Sequence, residues 1–127
     1  MKTIAIIDDD ALIRKSTKFL LNDEYLVDDF ESGDIFIEKI NSGEINVPDL
    51  VLLDIMMPGS NGLEILNQCK SDDRLKNIPV IIVSARNETA EKAIYLESGA
   101  VDYVTKPFDF DDLRQRVMVC IQDAENN

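Results

Sequence analysis

Short apolar runs that each stop at a polar residue constrain this chain more than any other feature. Thr3-Ile4-Ala5-Ile6-Ile7 runs into Asp8-Asp9-Asp10, and Leu50-Val51-Leu52-Leu53 runs into Asp54. Ile78-Pro79-Val80-Ile81-Ile82-Val83 ends at Ser84-Ala85-Arg86, and Val101 to Thr105 ends at Lys106-Pro107-Phe108. Unbroken apolar runs of this length fit strands covered on both faces, as in the interior of a parallel sheet. Tyr25 to Phe30 is a weaker run, interrupted by Asp28 and Asp29. That interruption suits a sheet edge.

Helical patterns fill the spaces between the runs. Leu12, Ile13, Phe19 and Leu20 predict an amphipathic helix up to about Leu21. Phe36, Ile37 and Ile40 predict a second, closed by Ser42-Gly43. A third begins at Asn61, with Glu64 as capping-box partner and Leu63, Leu66 and Cys69 as its buried stripe. A fourth covers Glu88 to Ser98 and stops at Gly99. Asp109 caps the last, which turns Leu113, Val117, Cys120 or Ile121, and Ala124 to one face. Strand and helix therefore alternate five times, without repeat or linker. The expected fold is α/β: a doubly wound parallel sheet with helices on both faces, and residues 1–127 as one domain.

Composition removes several functions. The net charge of −12 argues against direct binding to nucleic acid and to anionic membranes. No apolar run is long enough to span a bilayer. Cys69 and Cys120 lack metal-ligand spacing and read as reduced thiols, which points to a cytoplasmic location. The chain has no histidine. Imidazole catalysis, histidine–zinc sites and phosphohistidine chemistry must then come from a partner.

The ends of the strands carry the chemistry. In a doubly wound sheet the carboxyl ends lie side by side and form the ligand crevice. Asp8 and Asp9, Asp54, Ser84 and Lys106 all fall there. Taken singly, each has an ordinary reading as a helix cap, strand terminator or surface charge. Their convergence on one rim is the informative fact. Three carboxylates in one crevice repel, and a divalent cation with oxygen ligands, Mg²⁺ above others, neutralises them. Lys106 can hold an anion beside that cation, and the Ser84 hydroxyl can donate to it. Together these groups suit a phosphoryl group arriving at an aspartate.

The motifs Ile7-Asp8-Asp9-Asp10, Leu53-Asp54-Ile55-Met56-Met57-Pro58-Gly59, Val83-Ser84-Ala85 and Tyr103-Val104-Thr105-Lys106-Pro107-Phe108 resemble the receiver domain of two-component response regulators. They stand in the order and spacing of that family from about residue 3 to 124. The resemblance implies a flavodoxin-like sheet of order 2-1-3-4-5 with five helices. It implies Asp54 as phosphoacceptor, Asp9 as direct Mg²⁺ ligand, Asp8 acting through water, and the Met56 carbonyl as a further ligand. Lys106 would pair with the phosphoryl group, Ser84 would be the switch hydroxyl and Tyr103 the switch aromatic, turning inward on phosphorylation. The Lys106-Pro107 bond is expected to be cis. Two departures are small: Ser84 stands where threonine is common, and Asn61 where aspartate is common. Met56 and Arg86, two residues beyond Asp54 and Ser84, are expected to set the lifetime of the phosphorylated form.

The resemblance also implies partners. A sensor histidine kinase or a histidine phosphotransfer protein would supply the phosphoryl group. A downstream target would read the face made by the fourth helix, fifth strand and fifth helix. Asp102 and Arg116 fall where receivers that dimerise on phosphorylation carry paired charges. With no effector domain in the sequence, the chain reads as a stand-alone receiver or part of a longer protein. Two rivals compete with this reading. A haloacid-dehalogenase-like phosphatase would use Asp8 as nucleophile but wants further acidic ligands on a strand end after the lysine. A receiver-like interaction module without phosphorylation would leave the complete acidic set unexplained.

Overall fold

A computed structural model of the chain describes residues 1–55 and 61–126. Among these residues the strands are β1 (Thr3–Ile7), β2 (Leu26–Phe30), β3 (Leu50–Asp54), β4 (Val80–Ser84) and β5 (Asp102–Thr105). The helices are α1 (Ala11–Leu21), α2 (Gly33–Ser42), α3 (Gly62–Ser71), α4 (Thr89–Glu97) and α5 (Phe110–Glu125). All neighbouring strands pair in parallel, in the order β2-β1-β3-β4-β5. The apolar runs account for this order. Every residue of β3 and β4 is buried, so both strands must lie inside the sheet with a layer on each face. β2 mixes exposed and buried positions and sits at an edge.

The sheet separates two apolar layers. Ile7, Leu53 and Ile82 pack on one side with Phe36, Ile65 and Leu66 of α2 and α3. Ile4, Ile6, Leu52 and Ile81 pack on the other with Leu21, Leu113 and Val117 of α1 and α5. Phe36, Leu66 and Leu113 have no exposed surface. Burial of that kind stabilises by roughly 1.5–3 kcal/mol per side chain, which makes these two layers the main source of the fold's stability.

Helix ends follow the expected chemistry. Asp10 accepts from the Leu12 and Ile13 amides at the start of α1, Asn61 from Leu63 at α3, and Asp109 from Asp111 at α5. Gly43 closes α2 at φ 77°, a left-handed conformation that costs glycine little.

The face of α1 differs from the sequence expectation. Thr17 and Leu21 are its buried residues, whereas Leu12 and Phe19 are 77% and 79% exposed. Residues 13, 17 and 21 share one face at four-residue spacing, and the Thr17 hydroxyl donates to the Ile13 carbonyl at 2.8 Å. A threonine that satisfies its own hydroxyl can therefore occupy the core. In α5 the buried position is Ile121 and not Cys120, and Ala124 is exposed. No helix among the described residues is long and apolar enough to cross a membrane.

Candidate functional site

Strand register brings the expected residues together. Ile7 pairs with Leu53, Asp54 with Val83, and Ser84 with Thr105, so β1, β3, β4 and β5 end at one level. Asp8 is the first residue past β1, Asp54 and Ser84 are the last of β3 and β4, and Lys106 is the first past β5. Carboxylate oxygens of Asp8, Asp9 and Asp54 all lie within 4.8 Å of one another. Asp8 and Asp54 are buried and Asp9 is exposed.

Lys106 reaches into this group. Its Nζ donates to Asp8 Oδ2 at 2.9 Å and to Asp54 Oδ2 at 3.4 Å. The Lys106 amide donates to the Ser84 carbonyl at 2.7 Å, and the Lys106-Pro107 bond is cis as expected. Burial alone would push the Lys106 ammonium down, but the carboxylates of Asp8 and Asp54 outweigh it and raise its pKa. One ammonium faces three carboxylates, and every anionic donor is a hard oxygen. Such a set can hold a metal ion, and its chemistry fits Mg²⁺ better than a thiophilic or imidazole-seeking metal. Met56, expected to add a carbonyl oxygen, lies outside the described residues.

Ser84 is fully buried, and its Oγ accepts from the Arg86 amide at 3.1 Å. The Tyr103 hydroxyl donates to the Arg86 carbonyl at 2.9 Å, and the ring packs 6.2 Å from that of Tyr95. Tyr103 is buried, which is the inward orientation that the sequence reading assigns to the switched form. Burial raises its phenol pKa. The Arg86 guanidinium points along the loop to Glu91, 3.4 Å away on the first turn of α4.

Two supports of the site were missed in the sequence. Asp29, which read as a mere interruption of an edge strand, turns towards α1 and meets three cations. Arg14 Nε and Lys15 Nζ lie 2.8 Å from its Oδ2, and Lys18 Nζ lies 3.2 Å from its Oδ1. Arg14 Nη1 also donates to the Asp8 carbonyl at 2.8 Å. The available signal was a run of three cations on one helix followed by an acidic residue in the next strand. Gly62 is the other support. A Cβ there would come within 2.8 Å of the Ile55 backbone, immediately after Asp54. Glycine thus lets the start of α3 approach the end of β3.

Elsewhere, Asp102 and Arg116 meet each other within the chain at 2.8 and 2.9 Å. Asp109 caps α5, and Asp111 and Asp112 lie in its first turn. The extra strand-end acids that a dehalogenase-like phosphatase would want are therefore not supplied by these residues.

A family model described as the response regulator receiver domain matches residues 4–118. The transcriptional regulatory protein ResD of Bacillus subtilis is 36% identical over 95% of this chain and 48% of its own length. The phosphate regulon transcriptional regulatory protein PhoB of Escherichia coli is 33% identical over 91% of this chain and 50% of its own. The chain thus spans about half the length of these curated relatives. A CheY-like response regulator receiver domain from Methanospirillum hungatei superposes with a TM-score of 0.89 at 28% identity. That superposition covers 99% of this chain and 98% of the other.

Proposed function

The chain belongs to the response regulator receiver family, and from that membership we propose that it is a phosphorylation switch with Asp54 as the acceptor. One observation carries the assignment: the Lys106 ammonium contacts both Asp8 and Asp54, whose carboxylates share a 4.8 Å group with Asp9. Asp8 and Asp9 make a cation site, Lys106 makes an anion site, and Asp54 lies where the two meet.

A phosphohistidine on a sensor histidine kinase or phosphotransfer protein is the donor, since this chain has no histidine. An Asp54 oxygen attacks phosphorus as the nitrogen–phosphorus bond breaks, and the departing imidazole takes a proton from solvent. Mg²⁺ held by Asp8, Asp9, Asp54 and the Met56 carbonyl would supply charge neutralisation on the transferring oxygens. Lys106 neutralises a further phosphoryl oxygen from the β5 side. The Ser84 hydroxyl turns from the Arg86 amide to donate to the same group. The loop after Ser84 follows, the inward orientation of Tyr103 on the Arg86 carbonyl is favoured, and the face of α4, β5 and α5 changes for a downstream target.

The 127 residues act as one receiver domain in the cytoplasm, catalysing only their own phosphorylation and autodephosphorylation. Met56 and Arg86 set the lifetime of the adduct. Dimerisation through the last two helices is a secondary part of the reading, and it requires Arg116 and Asp102 to exchange their mutual pairing for contacts between copies. The central test is Asp54→Asn treated with acetyl phosphate and Mg²⁺. Intact mass should show a single phosphoryl adduct on the wild type and none on the variant. Full labelling of Asp54→Asn at another residue would refute the assignment.

A further inference from the structure

We propose that Arg14 is a positioning residue for the cation site. Anchored on Asp29, it holds the Asp8 main chain so that the carboxylates of Asp8 and Asp9 stay aimed at Asp54. The inference rests on the reading of Asp8 and Asp9 as cation ligands.

Three features support it. First, the guanidinium makes two divergent bonds at 2.8 Å, from Nε to Asp29 Oδ2 and from Nη1 to the Asp8 carbonyl. A planar fork can hold both at once, whereas the single ammonium of a lysine cannot hold that geometry. Secondly, both members are largely withdrawn from solvent, with Arg14 12% and Asp29 7% exposed. The pair is therefore not one of the solvated surface bridges that contribute little. Thirdly, Asp8 is held on its other sides as well. Its amide donates to the Phe30 carbonyl at 3.0 Å, and its Oδ1 accepts from the Asp10 amide at 2.9 Å. The bond from Arg14 completes a clamp that ties the end of β1 to both β2 and α1.

Electrostatics make the placement informative. A cation beside a site built to hold a cation opposes binding by Coulomb repulsion. Asp29 offsets that repulsion, and the contact with Asp8 supplies what repulsion alone would remove. Charge and geometry thus predict opposite signs for the loss of Arg14. By charge alone Arg14→Met would tighten Mg²⁺ binding; by loss of position it would weaken it. Lys15 provides the control, because it meets the same Asp29 oxygen at 2.8 Å but is 62% exposed on the outer side of α1.

The test is calorimetric titration of Mg²⁺ into the wild-type chain, Arg14→Met, Arg14→Lys and Lys15→Met, at a temperature well below each melting midpoint. Arg14→Met should weaken Mg²⁺ binding about tenfold, as loss of a residue that orients a metal ligand does. Arg14→Lys should fall between it and the wild type, and Lys15→Met should stay within about twofold of wild type. Arg14→Met binding that is unchanged or tighter overturns the inference, as does an equal loss in Lys15→Met. If Arg14→Met does not fold, Arg14→Lys decides: wild-type affinity in that variant overturns the proposal. A wild-type chain that binds no Mg²⁺ sinks the cation-site reading itself, an outcome distinct from failure of the Arg14 variants alone.

Discussion

The two flanks of the acidic site are held by different chemistry. On the β2 side, Asp29 gathers Arg14, Lys15 and Lys18, and Arg14 passes the restraint on to the Asp8 carbonyl. On the β4 side, Ser84 accepts from the Arg86 amide and Tyr103 donates to the Arg86 carbonyl, with the Arg86–Glu91 pair and the Lys92 ammonium over the Tyr103 ring beyond them. Breaking the largely withdrawn Arg14–Asp29 pair leaves an uncompensated charge. Exchanging one neutral hydrogen bond for another costs far less. One flank is accordingly a frame and the other can rearrange, as the proposed switch at Asp54 requires.

Lys106 spans both flanks, and its loss should have the largest effect. Lys106→Met removes the ammonium from Asp8 and Asp54 and should slow labelling of Asp54 by acetyl phosphate by about 10²-fold or more. Labelling at the wild-type rate would mean that the anion is held elsewhere.

Asp29→Asn strikes the frame alone. Loss of one partner from a largely buried pair should destabilise the chain by about 3 kcal/mol, measured by urea unfolding at neutral pH. Burial tends to raise the Asp29 pKa, but hydrogen bonds from Lys15, Arg14 and Lys18 prevail and lower it from 3.8 to about 2. The contribution is therefore fully present above the ordinary carboxylate range and is lost as pH falls towards 2. Unfolding curves of wild type and Asp29→Asn should differ at pH 7 and converge on acidification. A difference independent of pH would remove the ionic account of this flank.

These flanks were unequally legible. The frame strands could be read because burial on both faces demands unbroken apolar runs, and parallel pairing then carries Asp8, Asp54, Ser84 and Lys106 to one rim. The face of α1 could not be read, because Leu12 and Phe19 share the helical period with the buried face and Thr17 hides its burial behind a hydroxyl. Asp29 was equally opaque. Its meaning depends on side-chain direction at an edge strand and on cations eleven to fifteen residues earlier. Gly62 signals a close approach only once its neighbour Ile55 is known. Periodicity reports what the solvent and core demand, while contacts between polar groups depend on three-dimensional placement.

Tyr103→Phe probes the rearranging flank and should have the smallest effect. The change keeps the buried ring beside Tyr95 and removes the hydroxyl, which donates to the Arg86 carbonyl and lies against the Ser84 side chain. One neutral hydrogen bond contributes about 1 kcal/mol, so urea unfolding should show a loss of that order, well below that of Asp29→Asn. Labelling of Asp54 should persist, because the ring stays in place and Lys106 keeps its contacts with Asp8 and Asp54. A loss as large as that of Asp29→Asn would make the β4 side as rigid as the β2 side, and the division into frame and moving flank would fail. A small loss with normal labelling leaves the Arg86 loop free to exchange partners when charge appears at Asp54.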